Sequence, residues 1–140
     1  MIVKPRMRGF ICTTAHPVGC REQVLQQIEA VRQGGVVGDG GTAVGNALVI
    51  GCSAGYGLAS RISAAFGGGA RTLGVSYEKA PDGKRTASAG WYANRAFDQA
   101  AHEAELWAET IEGDAFSDAL KAQVAERIRD AFGRLDLLVY

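Results

Sequence analysis

Between a largely apolar run, Asn46 to Ile50, and an apolar stretch of helical period, Leu58 to Phe66, the chain reads Gly51-Cys52-Ser53-Ala54-Gly55-Tyr56-Gly57. A strand that passes into a helix through a GxxxGxG turn leaves few folding options, because glycines in that number serve backbone that must bend sharply or approach something closely. One glycine permits the turn, a second lets backbone N–H groups reach phosphate oxygens, and a third lets helix and strand pack tightly. The N-terminus of the helix adds partial positive charge. Such a turn is where an open parallel sheet seats the pyrophosphate of a dinucleotide. The competing reading is a glycine turn that serves packing alone.

The rest of the chain supports the same architecture. Leu58, Ile62 and Phe66 lie four apart on one helical face. Arg71 to Tyr77 reads as a second strand, Asn94 to Glu105 as a helix, Leu106 to Ile111 as a third strand and Leu135 to Tyr140 as a fourth. Asp118 to Phe132 reads as a helix, with Ser117 as N-cap, Leu120, Val124 and Ile128 on one face and Gly133 at its stop. This alternation predicts an α/β fold, a Rossmann-like doubly wound parallel sheet that is partial because no helix follows the last strand. Ahead of it, Met1 to Thr14 suits a short strand or hairpin around Pro5 and Gly9, and Arg21 to Gln33 a helix with Val24, Leu25, Ile28 and Val31 on one face. Gly34 to Gly45 holds six glycines in twelve residues, a linker composition. The chain is therefore expected to divide into 1–45, a hairpin, helix and linker, and 46–140, a partial nucleotide-binding domain.

Glu78 falls at the end of the second strand, where a carboxylate can accept hydrogen bonds from adenosine ribose hydroxyls and repel a 2′-phosphate. That favours NADH over NADPH. The alternative is a solvated loop acid, with Lys79, Lys84 and Arg85 close by in sequence. Asp114, after the third strand, is placed either to contact adenine or simply to form the turn before the helix. Cys12, His16 and Cys20 are evenly spaced, yet a closed zinc site needs four ligands, and this spacing would need a helix through Pro17 and Gly19. No metal site is expected. Trp91, Tyr92 and Phe97 read as anchors of a long loop, Lys79 to Ala93, and His102 as a surface residue.

Fifteen Lys and Arg balance fifteen Asp and Glu in 140 residues, so the net charge of zero gives no electrostatic case for nucleic acid or an anionic membrane. An odd set of three cysteines disfavours a disulfide framework and suits the reducing cytoplasm. No apolar run is long enough for a membrane span or a signal-peptide core.

Four strings give the chain a resemblance that covers nearly its whole length: Lys4 to Cys20, Val49 to Arg61, Ala89-Gly90-Trp91-Tyr92 and Gly113-Asp114-Ala115-Phe116-Ser117. Together they resemble the monomeric trans-2-enoyl-CoA reductases, a class of enoyl-acyl-carrier-protein reductase. The resemblance implies NADH-dependent reduction of the 2,3 double bond of an acyl thioester carried by CoA or acyl-carrier protein, as in fatty acid synthesis. Hydride would pass to the β-carbon, with a tyrosine stabilising the enolate and a lysine holding the cofactor. It places cofactor contacts on Gly51, Cys52, Ser53, Ala54, Gly55 and Tyr56, on Tyr77 and Glu78, and on Asp114 and Ala115. Cys52 and Ala54 stand where the family pattern has alanine and threonine, and Ser76-Tyr77 where it has two phenylalanines. The resemblance implies that the lost threonine hydroxyl weakens one phosphate contact while Tyr77 still offers an aromatic face, and that neither change abolishes the site.

Members of that family are several hundred residues long, and their catalytic tyrosine and lysine come later than the equivalent of Tyr140. The resemblance therefore implies an amino-terminal piece with no catalytic residue of its own. Tyr77 and Lys84 have a suggestive spacing, but Pro81 and Gly83 interrupt any helix that would align them. An unfinished sheet implies an exposed edge and self-association. A non-enzymatic NAD(H)-binding module is the second functional reading, and a purely structural α/β domain the last.

Overall fold

The computed structural model describes residues 3–34, 44–83 and 85–140. Most of the glycine-rich linker, and Lys84, lie outside the described residues. Two short antiparallel strands, β1 (Met7–Arg8) and β2 (Ile11–Cys12), form the hairpin, turning at Gly9 with φ +61°. Helix α1 (Pro17–Gly34) follows. It begins four residues earlier than the periodicity suggests, because proline is tolerated in a first helical turn and the Nδ1 of His16 accepts the Gly19 N–H at 3.3 Å. The argument that Pro17 and Gly19 forbid a helix there is thus corrected. Among the described residues no His, Cys, Asp or Glu cluster could hold a metal ion.

The main sheet consists of β3 (Asn46–Ile50), β4 (Arg71–Ser76), β5 (Ala108–Glu112) and β6 (Leu137–Val139), all parallel in the order β5-β4-β3-β6. Between them run α2 (Gly55–Ile62), extended by a π-helical turn at Ser63–Gly67, then α3 (Ala89–Glu103) and α4 (Asp118–Ala131). The Ser117 hydroxyl accepts the Leu120 N–H at 3.3 Å to start α4, and Gly133, at φ +69°, ends it. Helix α3 starts at Ala89 rather than Asn94, so Trp91 and Tyr92 are helical and the loop before them is shorter than expected. Tyr92 still anchors that loop, its hydroxyl accepting the Ala87 N–H at 3.2 Å. Asp136 sets the place of β6: its carboxylate accepts the N–H groups of Gly45 and Asn46 at 3.2 and 3.0 Å. Arg134 beside it and these two N–H groups hold its pKa below the usual value.

The two faces of the sheet differ in chemistry. Leu48, Leu73, Val75 and Ile111 form one core with Leu120 and Val124 of α4. On the other side α1, α2 and α3 pack around Val24, Ile28, Leu58, Ile62 and Phe97. On β4 and β5 the residues facing α2 and α3 are small or polar, alternating with the apolar ones as strand geometry requires: Thr72, Gly74 and Ser76 on β4, and Thr110 on β5, with Ala47 and Val49 of β3 beside them. Arg61 of α2 fills that space with its side chain fully buried. Its guanidinium donates to Thr110 Oγ1 at 2.8 Å, Thr72 Oγ1 at 3.3 Å, the Glu109 carbonyl at 2.7 Å and Asp98 Oδ1 at 3.0 Å. It lies 4.2 Å from the centre of the Phe97 ring. Gly74 is glycine for this reason, since a Cβ there would stand 2.7 Å from the Arg61 Nη1 and 2.6 Å from the Cys52 Sγ.

Arg61→Ala leaves Asp98 without its countercharge, with the Thr110 hydroxyl at 3.0 Å still donating to it, takes a donor from both threonines and a strand carbonyl, and is expected to cost about 3–5 kcal/mol. Urea unfolding followed by circular dichroism measures this; a loss below about 1 kcal/mol contradicts the role assigned to the guanidinium.

Candidate cofactor site

The glycine turn leaves the end of β3 at the centre of the sheet, where β4 pairs on one side and β6 on the other. Chain connections depart in opposite directions there, and a crevice opens beyond the carboxyl ends of the strands. Gly51 and Gly55 have φ of +79° and +53°, conformations that side chains rarely adopt, and the space beyond each α-carbon is open. Gly57 differs: a Cβ would stand 2.0 Å from the Gly51 carbonyl oxygen, so its task is the close approach of α2 to the turn. The turn is fastened to β4, because the N–H groups of Gly51 and Cys52 both donate to the Val75 carbonyl, at 2.8 and 3.2 Å. Helix α2 has Ala54 at its N-cap and no side chain capping it. Open backbone N–H groups at an uncapped helix start suit an anion.

Glu78 follows β4 and is half-buried. Its Oε1 accepts the Ser53 hydroxyl of the glycine turn at 2.6 Å, and its Oε2 accepts the hydroxyl of Ser88, the N-cap residue of α3. Gly90 makes room, since a Cβ on it would lie 2.1 Å from Glu78 Oε1. Behind Glu78, the Glu112 carboxylate at the end of β5 accepts the Glu78 N–H at 3.2 Å, the Ser76 hydroxyl at 2.8 Å and the Asn94 amide at 3.1 Å. Asn94 also donates to Ser76 Oγ at 2.8 Å and accepts from Cys52 Sγ at 3.5 Å. Turn, strand ends and α3 thus share one hydrogen-bonded network.

The crevice itself, about 480 Å³, is lined by Ile50, Gly51, Ser76, Tyr77, Asp114 and Tyr140 among others. Tyr77 is 80% exposed, Phe116 75% and Tyr140 82%, an unusual gathering of bare aromatic rings. Tyr56 projects from the turn, 95% exposed. Asp114 forms a turn, accepting the Phe116 N–H on Oδ1 at 2.9 Å, and it also lines the crevice. Of the residues chosen from sequence, Gly51, Tyr77, Asp114 and Ala115 line this crevice. Ser53, Ala54 and Gly55 line a smaller recess beside α1 and α3. Ser88, Asn94, Glu112 and Phe116 escaped the sequence reading as site residues; the serine at the start of a helix was the one available signal.

Burial raises the Cys52 thiol to about 11, against the opposing attraction of Arg61. This geometry is that of a dinucleotide-binding α/β domain. Residues 2–83 match the family model described as the NAD(P)H binding domain of trans-2-enoyl-CoA reductase, and residues 85–140 match that of the trans-2-enoyl-CoA reductase catalytic region. The chain belongs to the trans-2-enoyl-CoA reductase family. It is 54% identical over 140 residues to an enoyl-acyl-carrier-protein reductase (NADH) of Pseudoalteromonas translucida, covering all of this chain and 34% of that protein. A Xanthomonas oryzae protein of the same name is 55% identical over 141 residues, with the same coverage. The trans-2-enoyl-CoA reductase of Treponema denticola, solved in complex with NAD, superposes with a TM-score of 0.94 at 51% identity, over all of this chain and 36% of that one. The Clostridium acetobutulicum reductase with NADH gives 0.89 at 42%, over all of this chain and 34% of that one. The chain spans about a third of the length of the relatives it matches.

The raised Cys52 pKa sets a pH dependence. Between about pH 9 and 11 the unfolded thiol ionises while the folded one stays protonated, so this contribution to stability is lost as pH rises through that window. Iodoacetamide at pH 8 should alkylate exposed Cys12, whose pKa is lowered by hydrogen bonding to Thr14, well before Cys52. Rapid labelling of Cys52 in the native protein contradicts its enclosure.

Proposed function

We propose that this chain is the NADH-binding portion of an enoyl-thioester reductase. The observation that carries the proposal is the open glycine turn at the head of an uncapped α2, set where the strand order reverses. In this reading the turn Gly51, Cys52, Ser53, Ala54, Gly55 and Tyr56 receives the pyrophosphate: Gly51 and Cys52 are fastened by their N–H groups to the Val75 carbonyl, and the residues after them offer their backbone N–H groups. Tyr77 and Glu78 hold the adenosine, and Asp114 and Ala115 border the adenine. The exposed Tyr77 ring offers a flat apolar face, and the Glu78 carboxylate accepts from ribose hydroxyls and disfavours the 2′-phosphate of NADPH.

Bound NADH supplies a hydride for the β-carbon of a 2,3-unsaturated acyl thioester, carried on CoA or acyl-carrier protein. The names of the relatives support both carriers. This chain's own part is to bind and orient the dinucleotide; no residue of it is assigned a catalytic role. Three unpaired cysteines support the cytoplasm as its place. Among the described residues no helix is long and apolar enough to cross a membrane. The exposed Leu138 and Tyr140 at the β6 edge support self-association.

Titration of the purified chain with NADH, followed by energy transfer from tryptophan, should saturate, and NADPH should bind more weakly. Glu78→Ala should narrow the difference between the two. With crotonyl-CoA present, NADH should bind without being consumed. A folded chain that binds neither nucleotide contradicts the proposal.

A further inference from the structure

We infer that Ser88, at the start of α3, is a positioning residue that sets the choice between NADH and NADPH by fixing the Glu78 carboxylate as a pure acceptor surface. The inference rests on the reading of Glu78 as the ribose contact and names a determinant outside the glycine turn. Ser88 joins three things at once. Its hydroxyl donates to Glu78 Oε2, its oxygen accepts the Lys79 N–H at 3.1 Å, and its own N–H donates to the Lys79 carbonyl at 3.0 Å. The loop that leaves β4 is thereby closed on itself, with the carboxylate at its throat.

The polarity of these bonds matters. A serine has one hydroxyl proton; that of Ser53 goes to Glu78, and that of Ser88 goes to Glu78 with the Lys79 carbonyl at 3.4 Å as a further acceptor. Neither serine is left to donate to a ligand. A carboxylate has about four acceptor positions, and the serines use two, so what remains for an incoming group is acceptors only. A ribose diol, which donates, finds partners on such a surface; a 2′-phosphate, which at neutral pH mainly accepts and is anionic, finds none and meets a fixed negative charge. Gly90 lacks the Cβ that would push the carboxylate away, and the Glu112 carboxylate holds the Glu78 N–H from behind. Ser88 is the member of this clasp that binds both the side chain and the loop, so its loss frees Glu78 to swing and leaves the 2′ position undefined.

The test is the ratio of NADPH to NADH dissociation constants for the 140-residue chain, for Ser88→Ala and for Ser88→Gly, beside a thermal melt of each. The Ser88 side chain makes no hydrogen bond to the N–H groups of α3, and glycine is nearly as good as serine at a helix N-cap, so Ser88→Gly removes the hydroxyl with little effect on the helix start. Both variants should bind NADH about tenfold more weakly with NADPH little changed, because a hydrogen bond to a charged group is lost. Ser88→Thr should restore the ratio. A purely structural serine would lower the melting temperature and weaken both nucleotides together, leaving the ratio where it was; that result overturns the inference while the cofactor reading stands. If the unsubstituted chain is folded but binds neither nucleotide, the cofactor reading itself falls and the inference falls with it.

Discussion

A single buried cation fixes the part of the sheet from which the site is built. Arg61 lies under α2 with no exposed surface, and its donors reach β4, β5 and α3 together. Burying a guanidinium is costly unless it is paired and fully hydrogen-bonded, and here Asp98 supplies the countercharge while two threonines and a carbonyl take the remaining donors. Because those acceptors stand on three different elements, α2 can rest on the sheet in only one position. The glycine turn is the start of that helix, so the position of its backbone N–H groups follows from the guanidinium below.

From Arg61 a polar layer continues toward the carboxyl ends of the strands. The Cys52 Sγ lies 3.9 Å from the guanidinium and donates to Asn94, which donates to Ser76 and Glu112. Glu112 in turn holds the Glu78 backbone. Every buried side-chain nitrogen and oxygen among the described residues has a partner, so this layer is closed rather than strained. One face of the sheet is therefore an ordinary apolar core under α4, and the other is a hydrogen-bonded plate that ends at the crevice. Preorganisation of the turn and of Glu78 comes from the second face.

The sequence disclosed the elements that rest on local rules. The turn glycines and the Gly133 stop act through backbone conformation, the Ser117 cap through a hydroxyl that accepts an N–H three residues on, and strand-helix alternation leads directly to the parallel sheet. Arg61 was invisible because a charged residue in an amphipathic helix normally faces water, although it adjoins Ile62 and lies three residues from Leu58 on the packed side. Gly74 and Thr72 interrupt an otherwise apolar strand, and the space taken by the guanidinium explains them. Helix α1 starts ahead of its periodic residues because Pro17 and Gly19, read as breakers, sit harmlessly in a first turn, and α3 takes in Trp91 and Tyr92, which read as loop anchors. Glu78 was found by its place after β4, whereas its serine partners come from residues 25 and 10 positions away, a pairing that only the fold creates.

The most direct measurement is a map of backbone amide shifts of the uniformly labelled chain as NADH is added. The perturbations should concentrate on Gly51 to Tyr56, on Tyr77 and Glu78, and on Asp114 and Ala115, and fade toward the separate groove between α1 and α3 that Leu25, Glu29, Arg32 and Glu103 line. Saturable binding that leaves the glycine turn unperturbed and shifts residues of that groove would place the ligand elsewhere and contradict the site described.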